Sequence, residues 1–134
     1  MAAPRKKAYA VFLSHSHHDN WLADVIAHKF KAAGADVWLD EMSLTGGDEV
    51  LAGIVKGIRS CNETVVLVSN ESIKSQWVAA EIGMAVAARK RITGLLNNVD
   101  FDAMAPLSSI KSYALNDFQK LIRDLRKRLA TWRR

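Results

Sequence analysis

Short apolar segments alternate with amphipathic helical patterns along the whole chain, and this alternation constrains the fold more than any other feature. The apolar segments are AYAVFLS (8–14), DVWLD (36–40), TVVLVS (64–69), RITGLL (91–96) and SYAL (112–115). Most of them lack the polar/apolar alternation of a strand with one wet face, which is typical of a parallel sheet buried between two layers of helices. The order βαβαβαβ-loop-βα therefore predicts an α/β fold.

Capping residues mark the ends of the expected helices. Asp19 and Asp48 are candidate N-caps of the first and second helices, and Gly34 can end the first. A third helix is expected from about Ser75 to Lys90. Apolar residues repeat at helical spacing in the first helix (Leu22, Val25, Ile26, Phe30), the second (Leu51, Ile54, Val55, Ile58) and the last (Phe118, Leu121, Ile122, Leu125, Leu129).

Five strands fit a flavodoxin-like sheet of order 2-1-3-4-5, with helices on both faces, better than a six-stranded dinucleotide fold. At 134 residues the chain is expected to be one domain, residues 1–134, with a core over about 8–129 and basic ends. In this order the sheet reverses direction between strands one and three. A ligand is therefore expected in the crevice formed by the loops that follow those two strands.

The composition excludes some classes of protein. No apolar segment approaches the roughly 20 residues that a membrane helix needs, so no membrane association is expected. The single cysteine, Cys61, is interpreted as a packing residue and fits a reducing, cytoplasmic location. The net charge of +5 suits anionic partners. However, no basic cluster is interleaved with aromatic residues, and nucleic acid is not expected as a partner of this domain alone.

The first predicted loop reads SHSHHDNW, with three histidines in four positions. It could be a metal site, a ligand-binding loop or a polar turn. A zinc site needs three or four converging ligands, and adjacent residues of an extended loop cannot all point the same way. We therefore predict no metal site, and we expect His17 and His18 to face solvent.

The third predicted helix carries a carboxylate on its apolar stripe. With Ser75 as cap and a step of about 100° per residue, Glu81 falls in the middle of an apolar arc. The other members of this arc are Trp77, Val78, Ile82, Ala85 and Ala88. A local inconsistency of this kind can mark a functional site. The alternative is a glutamate that snorkels to water, pairs with a lysine or favours the helix dipole, and the pattern alone does not decide.

Four segments together resemble a Toll/interleukin-1 receptor (TIR) domain of the bacterial type. They are AVFLSHSHHD, VWLDEMSLTGGD, TVVLVSNESIKSQWVAAEIGMA and the closing strand–helix pair. The most specific piece is SQWVAAE (75–81), in which tryptophan and glutamate lie four residues apart after the third strand. The arginine–aspartate and proline–glycine pairs of the receptor-type loop are absent from SLTGGD, which weakens the case for receptor-adaptor signalling.

The resemblance implies an enzyme that consumes NAD⁺ as its substrate and needs no separate cofactor. Glu81 would be the catalytic residue, and Trp77 would form a wall of the pocket. In the loop after strand one, Ser14, His15 and Ser16 would contact the substrate. In the loop after strand two, Leu44, Thr45, Gly46 and Gly47 would approach the substrate or a neighbouring subunit. Asp40, which ends strand two, would lie at the edge of the substrate pocket or fix this loop.

The activity implied is NAD⁺ glycohydrolase or ADP-ribosyl cyclase (EC 3.2.2.-), in prokaryotic antiphage signalling or NAD⁺ depletion. A homo-oligomer or filament formed through TIR–TIR contacts is expected, together with a downstream effector or a sensor domain as further partners. The alternative is a TIR–TIR interaction scaffold without chemistry. A phosphoacceptor receiver domain shares the fold class, but this chain has Ser14, His15 and Ser69 where a receiver needs acidic residues.

Overall fold

The structure is a computed structural model that describes residues 8–39, 48–100 and 110–133, with the backbone alone over 48–51. The strands are β1 (Ala10–Ser14), β2 (Asp36–Leu39), β3 (Glu63–Val68), β4 (Arg91–Leu96) and β5 (Lys111–Ala114). The α-helices are α1 (Asn20–Ala32), α2 (Asp48–Ser60), α3 (Asn70–Ile73), α4 (Gln76–Ala87) and α5 (Phe118–Arg133). Single 3₁₀ turns precede α1 (His17–Asp19) and α5 (Leu115–Asp117).

All strand pairs are parallel and the sheet order is β2-β1-β3-β4-β5, which confirms the predicted flavodoxin-like topology. The chain moves from β1 outward to β2 and then returns to the other side of β1 as β3. Ser14, the last residue of β1, lies beside Val66 of β3. The ends of β1 and β3 are therefore neighbours, and the loops that follow them form the two sides of one crevice.

Two layers of helices cover the sheet. On one face α1 and α5 pack over alternate strand residues such as Val11, Leu13, Val65 and Leu67. On the other face α2 and α4 pack over the intervening strand residues, in clusters that contain Phe12, Ile54, Ile58, Cys61 and Ala85, and Val66, Val68, Val78 and Ile82. The burial of Cys61 agrees with its interpretation as a packing residue.

The sequence pattern missed α3, a single turn that directly follows β3. Ser69 begins it with a capping box in which its hydroxyl accepts from the Ser72 N–H at 3.1 Å and its own N–H donates to Ser72 Oγ at 2.7 Å. Because the usual second member of this motif is Glu or Gln, a serine in that place gave a weak signal. The predicted third helix is α4, which begins after its cap Ser75 as predicted and ends at Ala87, three residues earlier than predicted.

The edge strands are less buried than their sequences predicted. Residues of β2 and β5 are partly exposed, and Trp38 of β2 is among the exposed large apolar side chains. An edge strand has a neighbour on one side only and is covered less by helices, so apolar content overstates its burial. Gly34 does end α1 as predicted, with φ of 109°, a conformation that favours glycine. Within the described ranges no helix is both long and apolar enough to cross a membrane.

Candidate active site

Glu81 lies on the buried face of α4. Ser75 caps this helix by accepting a hydrogen bond from the Val78 N–H at 3.2 Å, which fixes the helix start where the sequence predicted it. Val78, Glu81, Ile82 and Ala85 are the buried residues of the helix, and the Glu81 side chain is 0% exposed. The carboxylate therefore points at the sheet rather than snorkelling to water.

Ser14 meets Glu81 from the end of β1. Its hydroxyl donates to Glu81 Oε1 at 2.9 Å, and Ser14 is likewise 0% exposed. The alternation of side chains along a strand explains this contact, because Phe12, two residues earlier, packs into the cluster on the α2 and α4 face. The structure thus joins two predicted site residues that lie 67 positions apart in the sequence.

Trp77 stands one turn before Glu81 on α4 and is 41% exposed. A core tryptophan, the alternative to a pocket wall, would be covered by its neighbours. Trp77 lies instead at the edge of the apolar stripe with part of its ring accessible. An aromatic side chain in this position can pack on a ligand that reaches the end of the helix.

The histidine loop separates into a buried part and an exposed part. His15 and Ser16 are buried; His15 Nε2 is 2.8 Å from Asn20 Oδ1, and Ser16 Oγ accepts from the His18 N–H at 3.3 Å. His17 and His18 are exposed, as predicted, with ring centroids 4.1 Å apart. Over the described parts of the chain no group of three or more His, Cys, Asp or Glu side chains is placed to hold a metal ion.

Two contacts join this loop to the segment after β3. The Ser69 hydroxyl donates to Asp19 Oδ2 at 2.5 Å, and His18 Nε2 lies 3.7 Å from Glu71 Oε2. The prediction for Asp19 needs correction here. Asp19 does occupy the N-cap position of α1, but its side chain makes no capping hydrogen bond, because its carboxylate is engaged by Ser69 instead.

The loop after β2 lies outside the described residues. The predicted contacts of Asp40, Leu44, Thr45 and Gly47, and of Gly46 beside them, all fall in this segment, and they stay predictions. The described part of the site therefore consists of Glu81 and Trp77 on α4, and the Ser14–Ser16 segment at the end of β1.

A second buried polar cluster lies on the other face of the sheet. The Tyr9 hydroxyl and the Arg128 guanidinium both bind the carboxylate of Glu63. Burial and the hydrogen bond to Glu63 raise the pKa of Tyr9, and although burial alone would lower the pKa of Arg128, its bonds to Glu63 raise it. This cluster fastens α5 to the sheet and does not belong to the crevice.

Tyr113 and Asp124 form a similar contact between β5 and α5. Burial, followed by the hydrogen bond to Asp124, raises the pKa of Tyr113 to about 12. The same hydrogen bond lowers the pKa of the Asp124 carboxyl. Tyr113 belongs to the core cluster on the α1 and α5 face, and Asp124 lies on α5 itself, so their shifted pKa values reflect packing of the last helix.

Among the residues that the structure describes, the buried carboxylate available for chemistry in the crevice is that of Glu81. An anion held away from water interacts with a positive charge much more strongly than an exposed one does. Glu81, oriented by the Ser14 hydroxyl, can therefore stabilise a cationic centre that develops beside it.

Comparison with known proteins identifies the family. The sequence matches the family model described as TIR domain over residues 11–130. It is 32% identical over 103 residues to the NAD(+) hydrolase PdTIR of Paracoccus denitrificans, covering 73% of this chain and 34% of that protein. It is 30% identical over 82 residues to the 2′ cyclic ADP-D-ribose synthase BtTIR of Bacteroides thetaiotaomicron, covering 60% of this chain and 29% of that protein.

A solved structure shows the same fold at low sequence identity. The TIR domain of the Toll-related receptor TRR-2 from Hydra magnipapillata superposes with a TM-score of 0.70 at 18% identity, covering 87% of this chain and 97% of that domain. The two curated relatives are longer, and the match to this chain spans only 34% and 29% of their length. The matched residues include both walls of the crevice and the whole of α4, and the chain belongs to the TIR domain family.

Proposed function

We propose that this chain cleaves the bond between nicotinamide and ribose in NAD⁺. The observation that carries the proposal is the buried Glu81 carboxylate held by Ser14 at the carboxyl end of the sheet. The names of the relatives support it, since one is an NAD(+) hydrolase and another a 2′ cyclic ADP-D-ribose synthase. Both names imply cleavage of the same glycosidic bond, followed by different fates of the ribose carbon that it leaves.

A single carboxylate is sufficient for this reaction. Ordinary glycosidases need a second carboxyl group as general acid, because an alkoxide leaving group has to be protonated. In NAD⁺ the leaving nitrogen is part of a cationic ring, so the bonding electron pair neutralises it and nicotinamide departs without a proton. The ribose is left as an oxocarbenium-like cation, which the negative charge of Glu81 would stabilise.

The product depends on which nucleophile reaches the cation. Attack by water, with loss of its proton, gives ADP-ribose, whereas attack by a hydroxyl group of the same molecule gives a cyclic isomer. Trp77 would limit the space beside the ribose and so favour one of the two. We extend the proposal to prokaryotic antiphage defence in the cytoplasm, through depletion of NAD⁺ or through a cyclic signal.

The burial of Glu81 adds a requirement to the proposal. A carboxylate that is 0% exposed cannot touch a ribose until the groups that cover it move. We therefore propose that the described conformation is a resting state and that the crevice opens before NAD⁺ enters. Contact with further copies of the chain, through TIR–TIR association, is the event that we propose drives this opening.

Incubation of the purified chain with NAD⁺, followed by chromatographic separation of the products, tests the proposal. We expect nicotinamide to be released together with ADP-ribose or a cyclic isomer. If NAD⁺ stays intact at high protein concentration and in the presence of crowding agents, the enzymatic proposal fails. The interaction scaffold without chemistry would then be the better account.

A further inference from the structure

The hydrogen bond between Ser14 and Glu81 defines a role for Ser14 that differs from substrate contact. Ser14 Oγ lies 2.9 Å from Glu81 Oε1, and neither residue has exposed surface. The hydroxyl hydrogen is donated to the carboxylate, so it is not available to a ligand. Ser14 is also the last residue of β1, where the pairing with β3 holds its backbone in place.

We propose that Ser14 is a positioning residue for Glu81, which keeps the carboxylate ionised and fixes its orientation. This inference rests on the proposed function, in which Glu81 provides the negative charge. Burial in an apolar surrounding disfavours an ionised carboxyl group, whereas a hydrogen bond donated to it favours the ionised form. The Ser14 hydroxyl thus offsets part of the cost of burying the charge.

The hydrogen bond also fixes the plane of the carboxylate. Glu81 has three rotatable side-chain bonds, and its neighbours Val78, Ile82 and Ala85 on the buried stripe offer no hydrogen-bond donor from their side chains. A donor that approaches Oε1 from the end of the neighbouring strand selects one orientation among those that the helix allows. Electrostatic stabilisation of a transition state depends on charges that are oriented before the reaction begins.

Other ionisable groups at this end of the sheet could influence Glu81. From the described residues they are His15, His17, His18 and Asp19 in the loop after β1, Glu71 in α3 and Lys74 directly after it, Asp100 after β4, and Asp117 after β5. Asp19 is engaged by Ser69, and Glu71 lies near His18. Ser14 differs from all of them because it is uncharged, so its removal changes the hydrogen bond without changing the net charge of the crevice.

Steady-state NAD⁺ cleavage by Ser14→Ala and Ser14→Thr is the first arm of the test. We expect Ser14→Ala to lower kcat by about 10- to 100-fold, the effect of losing one hydrogen bond to a charged group, with KM changed much less. Ser14→Thr keeps the donor and should retain most of kcat. Ser60→Ala is the matched control, because its hydroxyl donates to Gly57 O within α2, near the starts of β1 and β3 rather than near their ends.

The extra methyl group of threonine enters a buried site, so thermal unfolding is measured for each variant. If Ser14→Thr does not fold, Ser14→Cys takes its place; it keeps the size of serine but donates weakly, and we expect it to behave like Ser14→Ala. A folded Ser14→Ala protein with kcat within about 3-fold of the parent would overturn the positioning role, since that loss is far below the effect of a hydrogen bond to a charge.

A second arm does not depend on activity. The carboxyl carbon of Glu81, followed by nuclear magnetic resonance as the pH is varied, reports the pH at which the carboxyl group loses its proton. Loss of the Ser14 donor should move this midpoint upward by about one to two pH units. An unchanged midpoint in Ser14→Ala would overturn the inference even in a protein that does not cleave NAD⁺. Absence of cleavage in the parent, with the midpoint shifted as expected, would remove the proposed function and leave the Ser14 contact established.

Discussion

At the scale of single residues, the chemistry of the crevice depends on differences in burial between near neighbours. Trp77 and Glu81 lie one turn apart on α4, yet one is 41% exposed and the other has no exposed surface. In the loop after β1, His15 is buried and the two histidines that follow Ser16 are exposed. In the described conformation a ligand can therefore reach Trp77, whereas Glu81 and His15 are covered.

Replacement of Trp77 by alanine should impair NAD⁺ cleavage mainly through weaker positioning of the substrate. We expect KM to rise by about 10-fold or more, since stacking of a base on an aromatic side chain contributes on the order of 1–3 kcal/mol. Steady-state kinetics of NAD⁺ cleavage by the parent and the variant measures the change in KM. Val86→Ala, at an exposed apolar residue near the other end of α4, is the control. Parental kinetics in Trp77→Ala would remove Trp77 from the site.

The exposed histidines should be dispensable. His17 and His18 point away from the buried part of the loop, so a variant with His17→Ala and His18→Ala should keep most of the cleavage activity. Exhaustive dialysis against EDTA should leave the parent active, because adjacent side chains in this loop do not converge on one point. Loss of turnover with EDTA that zinc restores would contradict this interpretation of the loop.

The stripe on α4 was predictable from the sequence, because the cap at Ser75 and the helical period together determine which side chains face the sheet. The exposure of Trp77 was not predictable. Whether a residue at the edge of an apolar arc is covered depends on what packs beside the helix. The helical period of the sequence carries no information about those neighbours. The Ser14–Glu81 contact joins two elements far apart in sequence, and only the topology of the sheet brings them together.

At the scale of elements, the last helix is held to the sheet by a buried ion pair. Arg128 of α5 binds Glu63 of β3 through two parallel hydrogen bonds of 2.7 and 2.8 Å, and Tyr9 adds a third donor. The Tyr9 ring also meets Trp132 edge to face, with centroids 5.9 Å apart. The helix is thus fixed by a charge pair as well as by its apolar stripe.

Removal of one partner of this ion pair should destabilise the folded chain. Arg128→Met leaves the Glu63 carboxylate buried without its cation, which we expect to lower the free energy of unfolding by about 3 kcal/mol. Arg126→Met, an exposed position on the same helix, should change it by less than about 0.5 kcal/mol. Urea unfolding followed by circular dichroism measures both. Equal stability of the two variants would show that the pair does not fasten the helix.

The order of strands and helices was predictable because parallel buried strands and amphipathic helices have different periods in the sequence. The turn α3 was missed for the opposite reason, since four residues are too few to establish any period. The Glu63–Arg128 pair was missed as well. A charged residue at the start of an apolar strand gives no sign of its partner in a helix 65 positions later.

At the scale of the whole molecule, the fold places the candidate catalytic carboxylate of Glu81 at the end of the sheet where ligands bind in open α/β folds. In the described conformation this carboxylate is completely covered. A site that is closed in a single chain can be controlled by anything that stabilises its open form. Association with further copies would act in this way by mass action.

Specific activity should therefore rise with protein concentration. If assembled chains are active and single chains are not, NAD⁺ cleavage per molecule should increase several-fold over a hundredfold range of concentration, and crowding agents should shift the same curve to lower concentration. Light scattering on the same samples measures the assembly. Constant specific activity over that range would favour a self-sufficient monomer and contradict the assembly proposal.

The central claim is that the negative charge of Glu81 stabilises the ribose cation that forms as NAD⁺ is cleaved. The most direct measurement is the cleavage rate of Glu81→Gln. The amide keeps the size and hydrogen-bonding ability of the side chain but lacks the charge. We predict a loss of about 100- to 1000-fold or more in rate, as for other preorganised electrostatic groups, with unfolding temperature close to that of the parent. Asp36→Asn, an exposed carboxylate at the start of β2, is the matched control and should cleave normally. A folded Glu81→Gln protein that consumes NAD⁺ at the parental rate would contradict the account.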